Sequence, residues 1–220
     1  MEAALASRGW TLNIILCTHH HADHTGGNLA LKASHGATVV GPAADADRIP
    51  GLDEAAGDGA TGAVGAVPYL VMHVPGHTRG HCAYYFPTEG VAFVGDTLFS
   101  LGCGRMFEGT PAQFSASLAS LAALPDDTLL YCAHEYTASN GRFAASLERG
   151  NQALTARLEE VAALRAEGKP TVPTTLRLEK ATNPFLRPHS AELRAALKLA
   201  PEARDADVFA ATRAAKDVFA

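Results

Sequence analysis

Seven consecutive residues, Thr18-His19-His20-His21-Ala22-Asp23-His24, hold four imidazoles and one carboxylate. These groups are ligands for zinc, iron and manganese, so the pattern H-x-H-x-D-H points to a metal site. With 10 His and 11 Asp in 220 residues, a shuffled chain would contain it about once in a thousand. It is therefore read as chemistry rather than as a polar surface turn. In extended backbone His19 and His21 project to the same side, about 6.6 Å apart along the chain, and their long rings can converge on one cation. Asp23 and His24 are neighbours at a helix start, so their side chains diverge from that pair and can serve a second cation. By strand alternation His20 faces away from its neighbours' metal and is expected to be structural.

Three further candidates follow short apolar runs. They are His77 in Pro75-Gly76-His77-Thr78-Arg79-Gly80-His81, Asp96 in Val94-Gly95-Asp96-Thr97, and His134 in Cys132-Ala133-His134-Glu135-Tyr136. Each alone is an ordinary turn residue. Together they place five His and two Asp at the ends of successive strands, where a sheet protein builds its site. The coherent assignment puts His19, His21 and His77 on one divalent ion and Asp23, His24 and His134 on the other, with Asp96 bridging. A donor set of N and O atoms suits Zn and also permits Fe or Mn. His81 is expected to orient the loop around His77; His35, His73 and His189 have no partner pattern.

Two cations about 3.5–4 Å apart would share a hydroxide and draw the pKa of water from 15.7 toward about 7. That shift corresponds to about 12 kcal/mol in favour of a nucleophile at neutral pH. The ions would also polarise a carbonyl and stabilise its oxyanion. A thiolate leaves without acid help, because its conjugate acid has a pKa near 8.5. Hydrolysis of a carboxyl derivative is the natural reaction, with Asp96, Asp23 and His24 at its centre; a phosphoester or a lactam fits the metals equally well. No Gly-x-Ser-x-Gly elbow marks a serine hydrolase. The G-x-G-x-x-G of Gly57–Gly62 follows no clear strand and opens no helix, so it does not indicate a dinucleotide.

Strands are expected at Leu12–Cys17, Thr38–Val40, Tyr69–Val74, Cys82–Phe86, Val91–Val94 and Leu129–Cys132, all short apolar or β-branched runs bounded by Gly, Pro or charge. Helices are expected at Asn28–Ser34 and at Pro111–Leu124, the latter opened by a proline. Residues 43–66, heavy in Gly, Ala and Asp, read as a surface loop. After Tyr136 the texture becomes helical, with helices expected at Asn151–Glu167, Ser190–Leu199 and Asp205–Phe219. Residues 169–188, with four prolines, read as an irregular connector. The organisation is thus an α/β body over 1–137 and a helical domain over 138–220.

An apolar fraction of 47%, a charged fraction of 19% and a mean hydropathy of +0.02 allow a buried core and exclude wholesale disorder. No apolar run reaches the ~18 residues of a membrane helix, no secretory leader is visible, and no Lys/Arg block resembles a nucleic-acid arm. A cytoplasmic monomer that binds neither membrane nor nucleic acid is expected, with Cys17, Cys82, Cys103 and Cys132 as reduced, mostly buried thiols; Cys103 lies in a Gly-rich loop that could expose it, and nothing nearby marks it as an activated nucleophile. Charge is uneven: residues 1–140 carry 5 Lys/Arg against 13 Asp/Glu, and residues 141–220 carry 13 against 10. An acidic front suits cations, and a basic tail suits an anionic small molecule.

The T-H-H-H-A-D-H, G-H-T-R-G-H, G-D-T and H-E-Y segments resemble the metallo-β-lactamase superfamily. Phe93–Phe99, Gly102–Gly109, His134–Thr137 and the late Asn183-Pro184-Phe185-Leu186-Arg187 narrow the resemblance to the hydroxyacylglutathione hydrolase (glyoxalase II) family, over nearly the whole chain. It implies an αββα metallo-β-lactamase-like sandwich with a helical C-terminal domain. It also implies hydrolysis of the thioester S-D-lactoylglutathione to D-lactate and glutathione by a metal-bridging hydroxide, a step in methylglyoxal detoxification. Substrate contacts implied by the resemblance are Arg105 to a glutathione carboxylate, Tyr136 beside the last metal histidine, and Arg213 and Lys216 on the final helix. Phe107 stands where the family often has a tyrosine, which removes a hydroxyl contact and leaves packing.

Relatives carry further strands ahead of the one that leads to His19, whereas here about ten residues precede it. Either the true start lies upstream or the sandwich is N-terminally shortened, and the latter is expected to show an exposed strand edge and apolar surface. Three alternatives stand beside the hydrolase: another superfamily hydrolase, a persulfide dioxygenase with a single iron, or a truncated non-catalytic paralogue that binds metal. Metal stoichiometry separates the first two; folded, metal-loaded protein inert on every thioester would favour the third.

Overall fold

The computed structural model describes residues 1–219. After helix α1 (Glu2–Arg8), strand β1 (Ile14–Leu16) pairs in parallel with β2 (Thr38–Pro42), and β2 with β3 (Glu54–Ala56). Parallel neighbours need a crossover, which α2 (Ala22–Thr25) and α3 (Asn28–His35) supply. The larger sheet begins as an antiparallel meander of β4 (Thr61–Val64), β5 (Val67–His73), β6 (Cys82–Phe86) and β7 (Val91–Gly95). A hairpin of β8 (Leu98–Phe99) and β9 (Gly102–Cys103) follows, then α4 (Pro111–Ala122). β10 (Leu129–Cys132) then joins β7 in parallel. The tail comprises α5 (Thr137–Leu147), α6 (Gln152–Ala166), β11 (Thr174–Thr175), α7 (Leu176–Thr182), α8 (Ala191–Ala196) and α9 (Asp205–Asp217). β11 returns to the large sheet and pairs antiparallel with β10.

Alternation along the strands divides the core. Tyr69, Val71, Tyr84 and Phe86 pack against Leu16 and Ala56 between the sheets, and the Tyr84 hydroxyl donates to the Cys17 carbonyl at 2.9 Å. Ala83, Ala92, Val94 and Leu130 face the opposite way, onto Phe114, Leu118, Leu121, Phe143 and Phe209 from the helices. Each such aromatic or Leu burial is worth about 1.5–3 kcal/mol. Cys17, Val39 and Ile49 form a smaller cluster around the three-stranded sheet. The layers are those of an αββα sandwich joined to a helical tail. On the inner face of the large sheet Phe93 is 43% exposed and stacks on Tyr131 at 5.1 Å. The neighbouring edge of β1 has no strand partner among the described residues.

Three expectations need correction. Residues 43–66 are not a loop: they contain a 3-10 turn at Ala43–Arg48 and two paired strands, β3 and β4. Backbone pairing to β2 and β5 supplies the order that their small, polar side chains do not advertise. Residues 169–188 are likewise ordered, with α7 capped by Thr175, whose hydroxyl accepts from the Leu178 N–H. Helix α5 fills residues for which the periodicity gives no element; it buries Asn140, Gly141 and Ala144 beside Phe143 and Leu147. Small and polar residues on a buried face hide its 3.6-residue period.

The topology brings one end of four strands together. β5, β7 and β10 run in the same direction, so their C-terminal ends share one edge of the large sheet. The Thr18 carbonyl accepts from the Cys82 N–H at 2.8 Å, which ties the end of β1 to the start of β6 at that same edge.

Candidate metal centre

His19, His21, His77, Asp96, His24, Asp23 and His134 all project from that edge. His19 Nε2 and His77 Nε2 each lie 3.0 Å from His21 Nδ1. Neutral imidazole nitrogens that face one another as acceptors need a cation between them. Nitrogens held tetrahedrally around zinc at its usual bond length lie about 3.3 Å apart, close to the observed spacing. In the second group His134 Nε2 and His24 Nε2 each lie 3.5 Å from Asp23 Oδ2. Asp96 stands between the groups: Oδ1 is 3.2 Å from His24 Nε2, and Oδ2 is 3.3 Å from His134 Nε2 and 3.6 Å from His77 Nε2. His24 Nε2 and Asp96 Oδ1 are buried yet make no hydrogen bond of proper geometry. Such unpartnered buried atoms are what a cation-binding site would present.

Further hydrogen bonds aim these donors. His77 Nδ1 donates to the Arg105 carbonyl at 2.8 Å, and His19 Nδ1 meets the Thr18 hydroxyl at 3.1 Å. In both rings Nε2 is left for the centre, the arrangement that sets a ligand's tautomer. His81, fully buried, is not in any of the donor clusters. Its Nε2 accepts from the Asp96 N–H at 3.0 Å while Nδ1 donates to Thr97 Oγ1 at 3.0 Å. Burial, reinforced by the neighbouring His77, drives its pKa down to about 3, so it stays a neutral prop for Asp96. Burial also lowers the pKa values of His19, His21 and His77, which keeps them deprotonated and able to ligate. Gly95 (φ +49) makes the turn into Asp96; a Cβ there would sit 2.6 Å from Thr18 Oγ1 and 2.7 Å from His81 Nε2. A Cβ on Gly104 would lie 1.9 Å from the Asp96 carbonyl oxygen, so the substrate-side loop approaches as only glycine allows.

His21, Asp23, His77, Asp96 and His134 floor a cavity of about 630 Å³ lined also by Phe99, Arg105, Phe107, Tyr136 and α9 residues. Phe107 (61% exposed) sets its ring edge against His21 and His77, and Tyr136 stacks on His134 at 5.0 Å between ring centroids. Lys216 faces the cavity with its ammonium over Phe143 and Phe219. Burial, then Arg213, Arg142 and Arg105, hold its pKa below the usual lysine value, the mark of a positively charged pocket. Arg213 is mostly buried. Its guanidinium donates to the Cys103 and Gly104 carbonyls at 3.1 and 3.4 Å and pairs with Asp217. Cys103 is buried in β9 despite its Gly-rich loop, with its thiol pushed up to about 12 by burial. Ser139 and Asn140 of α5 line the cavity unanticipated, because the helix that carries them was itself invisible to periodicity.

Two family descriptions divide the chain between them: "Metallo-beta-lactamase superfamily" matches residues 2–134, and "Hydroxyacylglutathione hydrolase C-terminus" matches residues 135–219. A hydroxyacylglutathione hydrolase of Methylococcus capsulatus is 55% identical over 216 residues, 98% of this chain and 84% of that protein. The chain belongs to the hydroxyacylglutathione hydrolase family. A second member, from Brucella anthropi, is 51% identical over 100% of this chain and 84% of its own length. Among solved structures, ETHE1 from Myxococcus xanthus superposes with a TM-score of 0.64 at 27% identity, covering 98% of this chain and 81% of that one. Like other hydroxyacylglutathione hydrolases, the chain is a metal-dependent hydrolase by fold, and the seven donors lie where its strands end. No helix among the described residues is long and apolar enough to cross a membrane.

Proposed function

We propose that this hydrolase converts S-D-lactoylglutathione to D-lactate and glutathione with two divalent cations, Zn in the first instance and Fe or Mn as alternatives. His19, His21 and His77 would hold one ion, Asp23, His24 and His134 the other, and Asp96 both. When bound, the ions supply Lewis acidity that ionises water near neutral pH and polarises the thioester carbonyl. The chain's part is placement. Asp96, propped by His81, fixes the separation of the two histidine groups. Phe107 and Tyr136 flank the floor of the cavity and confine the acyl group between them. Arg105 and Lys216, neither in an ion pair among the described residues, are placed to meet the carboxylates of the glutathione peptide, and Arg213 holds the Cys103–Gly104 backbone that shapes that wall. The glutathione thiolate departs without a protonated side chain to assist it, as its pKa allows.

The single observation that carries this reading is the convergence of seven N and O donors, five of them facing a cation-rimmed cavity sized for a tripeptide thioester. The test is thiol release from S-D-lactoylglutathione with metal analysis on the same sample. Asp96→Ala is expected to lose turnover and the second metal equivalent together. Retained turnover in Asp96→Ala, or wild type with two metals and no thiol release, overturns it.

A further inference from the structure

Beside the histidine floor a second group of charged side chains joins three loops. Asp45 is completely buried at the end of β2. Its Oδ2 accepts from His20 Nδ1 at 3.0 Å and its Oδ1 from Arg48 at 3.2 Å. Arg48 also touches His20 Nε2 and reaches on to both Glu108 oxygens, at 3.0 and 2.5 Å. Glu108 in turn accepts from the Arg79 backbone N–H at 2.9 Å. His20, Asp45 and Glu108 present donor atoms within 4.8 Å of one another, a spacing that would suit a metal, but the Arg48 guanidinium already supplies the positive charge there.

The three loops are those that must stay in register. His20 belongs to the loop of His19, His21 and His24. Arg79 lies between His77 and His81, next to Gly80, where a Cβ would fall 2.3 Å from Asp45 Cγ. Glu108 belongs to the Gly104–Gly109 loop, whose Phe107 packs on His21 and His77 and whose Arg105 faces the cavity. We propose that Glu108 is a positioning residue for substrate binding: through Arg48 and Asp45 it locks the Gly104–Gly109 loop, with Arg105 and Phe107, against the two histidine loops. The inference rests on the reading that Arg105 and Phe107 face the glutathione part of the substrate. The Arg48–Glu108 pair is partly exposed, so its loss costs little global stability and is felt in the placement of the loop.

The experiment uses metal-reconstituted wild type, Glu108→Ala, Glu108→Gln, Arg48→Ala and the Arg48→Ala/Glu108→Ala double variant. It reads kcat and KM for S-D-lactoylglutathione, metal content, and the rate of tryptic cleavage after Arg105. Glu108→Ala is expected to raise KM about fivefold or more with kcat within about twofold and metal content unchanged. Cleavage after Arg105 should quicken about tenfold. Glu108→Gln, which keeps an acceptor for the Arg79 N–H, should fall between, and the double variant should be no worse than Glu108→Ala alone. Unchanged KM with unchanged cleavage, a fall in kcat at unchanged KM, or additive effects would each overturn the proposal. If wild type fails to turn over lactoylglutathione, the substrate reading falls, and the proteolysis rates still decide whether Glu108 locks the loop.

Discussion

Arg157→Met tests how the helical tail holds the metal domain. Arg157 is 4% exposed and Glu179 is 0%. The guanidinium donates to Glu179 and, at 2.9 Å each, to Ser100 Oγ and Thr174 Oγ1. Glu179 accepts in addition from the Leu101 N–H and from Asn183 Nδ2, both at 2.9 Å. Leu101 has φ 59, a left-handed conformation that costs a non-glycine residue about 1–3 kcal/mol, so the bond from its N–H helps to keep it there. Removing one member of a buried pair costs about 3–5 kcal/mol. For a chain of this length each kcal/mol moves Tm by about 2–4 °C, so Arg157→Met should melt about 10 °C below wild type. The Arg157→Met/Glu179→Met double variant removes the unpaired charge but still strands the Leu101 N–H, at about 1–3 kcal/mol. It should therefore stay below wild type yet lose about 2 kcal/mol less than the sum of the singles. Thermal and urea unfolding by circular dichroism measure both, and KM should rise in parallel, because Ser100 and Leu101 directly follow the cavity residue Phe99. An Arg157→Met variant within about 3 °C of wild type, or a cycle with no coupling, would refute this account.

Lys216→Ala should raise KM for lactoylglutathione about tenfold at low ionic strength, with kcat within about twofold, and the gap should shrink at 1 M salt as screening weakens the attraction that wild type retains. Glu108 is held down to about 2 from an ordinary 4.5, chiefly by its hydrogen bond from Arg48. A depressed carboxyl stabilises the fold above its unfolded pKa and loses that contribution as pH falls through the folded one. Discounted for solvent screening, the stability gap between wild type and Glu108→Gln should be about 1 kcal/mol near pH 6 and close as the pH drops from about 4.5 toward 2; urea titrations across that range check it. Stripping the metal with a chelator should abolish turnover. It should also lower stability by about 4 kcal/mol relative to protein held at a thousandfold excess over Kd, with both restored on adding the ion back.

The candidate metal floor is legible from sequence because its proposed ligands are rare residue types at short, fixed spacings, each following a strand that apolar alternation reveals. What held them in place was not legible. Glu108 meets Arg48 across 60 residues and Glu179 meets Leu101 across 78, and no local pattern encodes such pairings. His81 stands in a sequence motif beside His77, yet its task of accepting from the Asp96 N–H depends on a turn at Gly95 that only coordinates reveal. The missed elements share a cause. β3 and β4 are short strands of small or polar residues ordered by neighbouring backbones, and α5 buries Asn140 and Gly141 where an apolar stripe would be sought. At Gly141 a Cβ would sit 2.3 Å from Leu158 Cδ2, so close helix packing selected the residue that breaks the pattern.

A binuclear floor by itself would serve a phosphoester, a lactam or a thioester, so selection among anions has to come from the walls. Those walls are drawn from separate parts of the chain: Arg105 from the loop after β9, Tyr136 from the N-cap of α5, and Lys216 from α9. The uneven charge of the sequence thereby acquires a spatial meaning. The acidic first 140 residues supply Asp23 and Asp96, the carboxylates proposed to hold cations, and the basic tail places Arg213 and Lys216 in the cavity wall. Arg213 has most of its donors committed to Cys103, Gly104 and Asp217, so its role is to keep the wall in place while Lys216 and Arg105 remain available to an incoming carboxylate. A ligand with two carboxylates and one ammonium, such as the glutathione moiety, matches a rim in which several cations accompany the single carboxylate of Asp217. An uncharged thioester of the same acyl group would meet the same floor with none of that attraction, and the difference between the two in kcat/KM measures the contribution proposed for the tail.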